Sequence, residues 1–589
     1  MPKSNVPKTM PGNADRCDGE PKDAGIFSDV FGFARKAGDL IQQVSHVGEN
    51  PNNTISNNHP QAPTRDDDGG NTLEAGTPNA TNDVQYVTGR SLGALVVTLS
   101  VVVFLIFLDA SIISTAIPHI TDDFHSVQDV GCYISSYQLT NAIFQPLAGK
   151  VYQRFNAKTW FIVFLLVFEA GSLTCGVAGS SALLVAGRAI AGMGAAGITN
   201  GALTIVAYAA PLNKRPSLTG SIMGLGQVGL ALGPLLGGVF TSYVSWRWCF
   251  YINLPVGALA SAILSQIRVP GQASKPTPWI VIRTLHWDLD LVGFVLLVGA
   301  AVQLLLAIQF GSATHPWNSA TVLGLFCGAL VTFLFWAVWN KACKNQGLIP
   351  MSILKKIPVW GAALTQLCLL TTVFCASFFL PLYFQAVRGV SPIQSGVDVL
   401  PSILTQVFTL MLASRLVELT GYVVPFAIVA GGVGIISNYL YSTLHVDTPI
   451  ARWVGFQVLN GFGRGVGMPM PVLAVQLAVP PPDIPIALSF VTFVSSLGTA
   501  LILACAGLIF NTYFGCALSN RGMGDDIGAI MAAGATRFRD IISEDKISGV
   551  VLAYVSGIKQ VFFFACLFAG LGSVAACGKE PPVATQGST

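Results

Sequence analysis

Five charged residues lie inside long apolar runs of this chain. They are Asp109, Glu169, Arg188, Asp398 and Arg464. A charge at the centre of a membrane-spanning helix costs about 2.5–3.5 kcal/mol on insertion scales, so each of these groups needs a charged partner or a water-filled cavity. A carboxylate in such a place can take up and release protons, because its protonation responds to burial and to a nearby guanidinium. The pattern predicts proton transfer, or ion pairs between helices.

Asp109 and Arg188 are the residues that we expect to exchange a proton, with Glu169 and Asp398 as further candidates for a coupling site or substrate cavity. For Glu169, Asp398 and Arg464, the alternative is a structural salt bridge or a contact with lipid headgroups. The twelve cysteines are scattered without a Cys-x-x-Cys pair, and the seven histidines all fall outside the apolar runs. We therefore expect no metal centre and no cofactor.

The composition places these residues in a polytopic membrane protein. Hydrophobic residues make up 52% of the chain and charged residues only 10%, with a mean hydropathy of +0.61. In soluble domains about a quarter of the residues are charged. The net charge of +3 is small and forms no basic stripe, so we expect no nucleic-acid partner.

Fourteen apolar segments are long enough to cross the roughly 30 Å hydrocarbon core of a bilayer. They begin near residues 92, 129, 159, 182, 217, 248, 290, 320, 360, 394, 422, 453, 485 and 559. Basic residues of the short loops lie mostly on the side of the two tails, which places both termini in the cytosol. The sequence thus predicts an all-α protein with fourteen transmembrane helices.

Polar tails flank these segments. Residues 1–88 are rich in Asn, Asp, Pro, Gly and Ser, which predicts a disordered cytosolic tail. Within it, residues 26–44 have apolar side chains at helical spacing, as in an amphipathic helix on the membrane surface or on the inner face of the protein. A transient helix without a role is the alternative. Residues 579–589 form a second cytosolic tail.

An internal repeat predicts two related bundles. The basic loop after span 2 has a counterpart after span 10, and the two loops contain respectively Gly149, Lys150, Arg154 and Lys158, and Ser414, Arg415 and Gly421. We expect six-helix bundles over 89–270 and 355–578, two inserted helices over 285–342, and a long extracellular loop over 512–556. Such a parallel repeat is typical of transporters with a cavity at the membrane midplane.

A glycine-rich segment surrounds Pro234 in span 5. Its glycines include Gly220, Gly229, Gly233, Gly237 and Gly238. Small residues let neighbouring helices approach closely, and proline interrupts the helical hydrogen bonds. We interpret the segment as a bendable seam between helices, with simple helix association as the alternative.

The spacing G-x8-G-x3-G-P-x2-G-G resembles the antiporter motif in the fifth span of major facilitator superfamily exporters. The stretch after it contains the span 5–6 signature residues Trp246, Arg247, Asn253 and Pro255. Residues 107–118 resemble the first-span signature of the fourteen-span drug:proton antiporters. Residues 187–197 resemble their fourth-span motif, whose arginine the family uses in proton transfer. The resemblance extends from Leu92 to the end of the last span and is closest to the fungal branch.

The loop after span 2 keeps only part of the family's motif G-x-L-A-D-R-x-G-R-K. Gly149, Arg154 and Lys158 are retained as a gating loop, whereas Gln153 replaces the acid, Asn156 the glycine and Ala157 an arginine. The charge relay of bacterial relatives is therefore altered. We expect Arg154 and Lys158 to bind helix ends or anionic lipid.

The resemblance implies a proton-coupled exporter of a small amphipathic organic compound, such as a fungal secondary metabolite, toxin or drug. No GxxxxGK[ST] loop occurs, so an ion gradient must supply the work. A siderophore or basic amino acid carrier of the same fold, or a sensor without transport, are the alternatives. An enzyme is not expected, since the spans lack a Ser/His/Asp set. We expect a monomer in the plasma membrane, with the vacuolar membrane as the alternative.

Overall fold

The computed structural model describes residues 86–125, 129–267, 269, 289–313, 316–524 and 527–576. These residues form helices joined by turns, with no β-strand among them. The helix predicted over 26–44, and the tail over 579–589, lie outside the described residues.

The first bundle consists of five long helices and a sixth that is broken near its start. The helices are α1 Gly89–Phe124, α2 Val130–Arg154, α3 Ala157–Gly176, α4 Ser181–Ala209, α5 Arg215–Tyr243, α6 Trp248–Tyr251 and α7 Asn253–Gln266. Short polar side chains begin two of them: Asn156 accepts a hydrogen bond from the backbone of Thr159, and Ser180 from that of Leu183. Such caps satisfy backbone N–H groups that the first helical turn leaves free.

The second bundle and an intervening hairpin complete the fold. The hairpin is α8 Leu291–Ala313 and α9 Ala320–Cys343, followed by α10 Met351–Leu354. The second bundle is α11 Ile357–Leu382, α12 Pro392–Thr420, α13 Val424–Ser442, α14 Ile450–Gly467, α15 Met470–Ala478, α16 Ile484–Ser519, α17 Ile527–Ile541 and α18 Glu544–Ala576. A π-helical turn, Tyr383–Val387, extends α11.

Among the described residues, twelve helices are long and apolar enough to cross a membrane, so the predicted count of fourteen is not confirmed. The helices α2 and α14 fall outside the twelve. Both contain polar side chains that face other helices, including Gln145 on α2 and Gln457 and Asn460 on α14, all of which are buried. A helix that packs its polar residues inside a bundle has a low average hydropathy.

Helix contacts define the two bundles. In the first bundle α1 packs on α5, and α4 packs on both α2 and α3; in the second bundle α12 packs on α14, and α18 on α11 and α13. The bundles meet along two helix pairs, α5 with α12 and α2 with α16. The α8–α9 hairpin lies beside the second of these pairs, because α8 contacts both α2 and α16.

The predicted loop over 512–556 is mostly helical, so this boundary is wrong. The helix α16 continues to Ser519, α17 follows, and α18 already begins at Glu544. The reason is the apolar character of both flanks: Phe514, Val550 and Tyr554 are buried in one cluster. What remains between the two long helices is a short helical segment with a kink at Gly534, whose φ is +71°.

Two buried charged residues, Asp290 and Lys150, hold the α8–α9 hairpin and the segment after it in place. The Asp290 carboxylate accepts hydrogen bonds from the backbone of Gly293 (3.0 Å), from Trp339 Nε1 (2.8 Å) and from the backbone of Leu348 (2.6 Å). The Lys150 ammonium, at the end of α2, donates to the carbonyls of Gln346 and Gly347. The segment that leads from the hairpin into the second bundle is therefore held by the first bundle.

Candidate functional site

Asp109 and Arg188 form a buried ion pair between α1 and α4. Arg188 NH1 lies 2.5 Å from Asp109 Oδ2, and each residue is 1% exposed. Charge-assisted hydrogen bonds of this kind are about twice as strong as neutral ones. The pair thus supplies the opposite charge that each group requires inside a membrane.

Neighbouring polar groups orient both members of the pair. Asn253, at the start of α7, donates from Nδ2 to Asp109 Oδ1 (3.1 Å) and to Ser172 Oγ (3.1 Å) on α3. Arg188 Nε donates to the carbonyl of Tyr133 (3.2 Å), and the guanidinium lies 4.2 Å from the ring centre of Tyr137. A cation over an aromatic ring gains further stabilisation. Helices α1, α2, α3, α4 and α7 therefore converge on this centre.

The approach of α4 to α2 depends on Gly192. A Cβ atom there would lie only 3.0 Å from the carbonyl carbon of Tyr137. Arg188 lies four residues earlier on the same face of α4, since residues i and i+4 of a helix are neighbours. The close approach at Gly192 places the guanidinium beneath the Tyr137 ring.

Glu169 is a second buried acid beside this centre. It lies three residues before Ser172 on α3, and therefore on the face that reaches Asn253. Both carboxylate oxygens are buried without a hydrogen-bond partner, and the carboxyl group lies against Gly257 of α7, where a Cβ would be 2.6 Å from Glu169 Cδ. A buried polar group without a partner is costly, so the position of Glu169 does not contribute a stabilising hydrogen bond.

The remaining intramembrane charges lie in the second bundle. Asp398, in the second turn of α12, accepts a hydrogen bond from Gln394 (2.8 Å), while its backbone carbonyl accepts one from Gln457. Arg464 on α14 contacts Asn460. Neither residue shares a contact with Asp109, so the structure separates Asp398 from the other three residues of the predicted coupling site.

The glycines of α5 form two contact surfaces. Gly229, Gly233 and Gly237 face α1, where added Cβ atoms would meet Phe104, Ser111 and Ile112. Gly220 instead faces Ser414 of the second bundle. These four permit the close packing that the motif predicts.

Gly238 and Pro234 do not take part in the close packing or the bend that the motif predicts. A Cβ at Gly238 would meet no atom within 4 Å, and Pro234 lies on an exposed face of α5, whose helix continues through it. The seam therefore repeats every four residues, the spacing of one helical face. Gly238 is the next residue after Gly237 and lies on a different face of the helix.

The gating loop lies where the two bundles meet. Gly149 of α2 lies against Ser489 of α16, and Gly220 of α5 lies against Ser414 of α12. In both pairs the first bundle supplies the glycine and the second bundle the serine. This end of the molecule, which we call the basic end, is defined by Gly149, Arg154, Lys158, Gly220, Ser414 and Ser489.

The polar residues of the loop have separate roles. Lys158 donates to the carbonyl of Ser265 (2.6 Å) at the end of α7. Gln153, which stands where the family has an acid, donates to Asp483 Oδ1 (3.0 Å) of the second bundle. Arg154 is exposed. This hydrogen bond joins the two bundles, and its acid, Asp483, belongs to the second bundle. The family motif places the acid in the first bundle, at the position of Gln153.

The span 5–6 signature joins the other end of the first bundle. Trp246 Nε1 donates to Asp123 Oδ2 (2.8 Å) at the end of α1, and Arg247 lies 3.4 Å from the same oxygen. Arg247 also lies over the Trp246 ring at 4.3 Å. Of the other two signature residues, Asn253 reaches Asp109, and Pro255 is exposed in the first turn of α7.

Sequence reasoning missed Ser172, Tyr133 and Tyr137. Ser172 and Tyr137 are uncharged residues in helical runs, and Tyr133 contributes a backbone carbonyl that no side-chain pattern reveals. The spacing of the two tyrosines was the one available signal: Tyr133 and Tyr137 are four residues apart on α2 and therefore share a helix face. Among the described residues, no group of three or more His, Cys, Asp or Glu side chains could hold a metal ion.

Comparison with known proteins agrees with this architecture. The pattern of the Major Facilitator Superfamily matches residues 99–503. The chain is 43% identical to the MFS-type transporter pigP of Monascus ruber, over 86% of this chain and 91% of that protein. It is 44% identical to the efflux pump mokI of Monascus pilosus, over 82% of this chain and 90% of that protein.

A more distant efflux pump and a solved structure extend the comparison. The efflux pump aflT of Aspergillus parasiticus is 36% identical, over 84% of this chain and 96% of that protein. The crystal structure of the human organic anion transporter MFSD10 superposes with a TM-score of 0.52 at 13% identity, covering 82% of this chain and all of that one, and thus shares the fold. The predicted fold class and family are confirmed. The chain is a multi-pass membrane protein that belongs to the major facilitator superfamily, in its branch of fungal efflux pumps.

Proposed function

We propose that this transporter exports a small amphipathic organic compound, such as a fungal secondary metabolite, toxin or drug, in exchange for protons. The observation that carries the proposal is the buried Asp109–Arg188 pair with the unpartnered Glu169 beside it. Three ionisable groups at one place inside a membrane are a functional site by default, because their cost to stability is otherwise unexplained.

Protonation of Asp109 would change which helices are tied together. A neutral carboxyl loses most of its attraction for Arg188, which keeps the Tyr133 carbonyl and the Tyr137 ring of α2 as partners. The new O–H needs an acceptor, and Asn253 Oδ1 is buried without a donor. The proton thus loosens α1 from α4 and strengthens its contact with α7.

The glycine seam transmits this change to the bundle interface. Helix α1 packs on Gly229, Gly233 and Gly237 of α5, and α5 in turn contacts α12 through Gly220. A shift of α1 therefore moves the helix that touches the second bundle. Rigid-body rocking of the two bundles is the motion that such repeats use for alternating access.

The basic end is closed in this structure. Besides the two glycine–serine contacts, Asn200 donates to the carbonyl of Pro485 (3.2 Å) and Gln406 donates to Gln227 Oε1 (3.2 Å) across the bundles. We assign the basic end to the cytosol by the positive-inside rule, with both termini there. The conformation is then one that has closed toward the cytosol, as an exporter is after it loads cargo.

Transport in inside-out vesicles from yeast expressing the chain tests the proposal. With the vesicle interior made acidic, we expect uptake of the amphipathic dye rhodamine 6G that a protonophore collapses, together with alkalinisation of the interior. Uptake that ignores the pH step contradicts proton coupling. Competition by a ferric siderophore or by arginine favours the carrier alternatives, and complete absence of transport favours a sensor.

Replacement of Glu169 by Gln is expected to leave stability unchanged or higher, because neither carboxylate oxygen has a hydrogen bond to lose. If Glu169 carries a proton, the number of protons exchanged per dye molecule falls in this variant. Thermal unfolding of the purified protein and the vesicle assay measure the two effects. A fall in the unfolding midpoint with unchanged proton exchange would assign Glu169 a structural role.

We further propose that the protein works as a monomer in the plasma membrane, with the vacuolar membrane as the alternative. The support is the fold itself, in which both halves of the transport unit belong to one chain. Fluorescence of a tagged chain at the cell rim, against a vacuolar marker, distinguishes the two membranes.

A further inference from the structure

Arg464 is a buried cation whose helices offer it no counter-charge. It is 7% exposed, and its one hydrogen bond among the described contacts is a long one, 3.4 Å from NH1 to Asn460 Oδ1. Its Nε has no partner. Since a guanidinium stays protonated in proteins, a full positive charge lies here inside the second bundle.

A cavity borders this cation. It is a small cavity of about 20 Å³ between α11, α13, α14 and α18. Its lining includes Arg464, Asn438, Asn460, Thr365 and Thr372. A cavity of this size holds about one water molecule or one small ion and is too tight for an amphipathic cargo molecule.

None of the four lining helices supplies an acid at this depth. Helices α11, α13 and α14 contain no Asp or Glu, and in α18 the two acids occupy the first turn. In the first bundle, by contrast, Arg188 on the fourth helix meets Asp109 on the first. The fourth helix of the second bundle has kept an arginine, but its first helix, α11, has no carboxylate to offer.

Polar atoms around the cation are also unsatisfied. Besides Arg464 Nε, the hydroxyl of Tyr441 and Asn438 Oδ1 are buried without partners, while Asn438 Nδ2 is engaged by the carbonyl of Gly434. Of the two that line the cavity, Arg464 Nε is a donor that suits an anion, and Asn438 Oδ1 is an acceptor. A buried guanidinium with free donors and an adjacent void lacks the negative charge that would make its burial tolerable.

We propose that this cavity binds one small inorganic anion of chloride size against Arg464. The anion takes the place that Asp109 occupies in the first bundle. It neutralises the second bundle and permits its helices to move as a unit. The site is separate from the proton exchange proposed at Asp109 and does not depend on it.

Equilibrium binding of ³⁶Cl⁻ to the purified full-length chain, at constant ionic strength with gluconate as the balancing anion, tests this site. We expect saturable binding that bromide displaces and that gluconate does not. Arg464→Gln should weaken binding at least tenfold, since a charged hydrogen bond contributes about 1.5–3 kcal/mol. Arg452→Gln, an exposed arginine on the same helix, is the matched control and should bind as the wild type does.

One further variant and one further competitor complete the binding experiment. Ala427→Leu narrows the cavity without removing the charge and should also reduce binding, which covers the case in which Arg464→Gln does not fold. Displacement by benzoate but not by bromide would assign the site to the acid group of a cargo molecule and overturn the halide proposal. Absence of saturable binding to the wild type, or equal binding by Arg464→Gln, overturns it as well.

Discussion

Asp109→Asn is expected to reduce proton-coupled dye uptake to the background of vesicles without the transporter. The amide cannot release a proton, and Arg188 is left as a buried guanidinium without its ion-pair partner. Breaking a buried pair by removing one member costs about 3–5 kcal/mol, so the unfolding midpoint should fall too. Uptake in vesicles and thermal unfolding of the purified protein measure the two losses separately.

The double variant Asp109→Asn, Arg188→Gln distinguishes coupling from folding. It removes both charges, so we expect most of the lost stability to return while proton-coupled uptake stays absent. Asp122→Asn, on an exposed face of the same helix, is the matched control and should transport normally. Proton-dependent uptake by the double variant would contradict the assignment of coupling to this pair.

Gly220→Ala is expected to slow export about tenfold or more. A Cβ at Gly220 would overlap the side chain of Ser414 when the basic end is closed. Overpacking typically costs about 1–3 kcal/mol, and about 1.4 kcal/mol changes an equilibrium tenfold, so the closed state loses most of its population. Cysteines placed at Lys214 and Thr420, which are exposed at the basic ends of α5 and α12, report that closure when a short bifunctional thiol reagent cross-links them in a chain without other cysteines.

Two variants serve as controls for this experiment. Gly238→Ala makes the same chemical change on the same helix, but its Cβ meets no atom within 4 Å, so transport and cross-linking should be unchanged. Ser414→Gly added to Gly220→Ala should restore both, because the space is returned from the opposite side. Equal loss in Gly220→Ala and Gly238→Ala would show that the bundle contact is not responsible.

The sequence identified the charges that need partners, but it could not pair them. Insertion cost alone marks Asp109, Glu169, Arg188, Asp398 and Arg464 as unusual, and it treats all five alike. Pairing depends on which helices approach closely, and that depends on contacts such as Gly192 against the Tyr137 carbonyl. The structure therefore leaves Glu169 without a partner and places Asp398 in the other bundle.

Hydropathy was informative for helices that face lipid and less so for those that face protein. The helix α14 carries Gln457, Asn460 and Arg464 inward, and its average hydropathy falls below that of a typical span although it packs within a bundle. The same limit applies to the segment 512–556, where apolar residues bury against each other instead of ending the helices. Neither effect is visible without the packing partners.

The bond from Lys150 to Gln346 and Gly347 limits how the two halves can separate. The covalent connection between them is held to the first half on the flank where α2 meets α16, so we expect that flank to open least. Separation at the basic end must then be widest on the far flank, between α5 and α12. In the proposed orientation, a hydrophobic molecule dissolved in the cytosolic leaflet would then enter sideways through that gap.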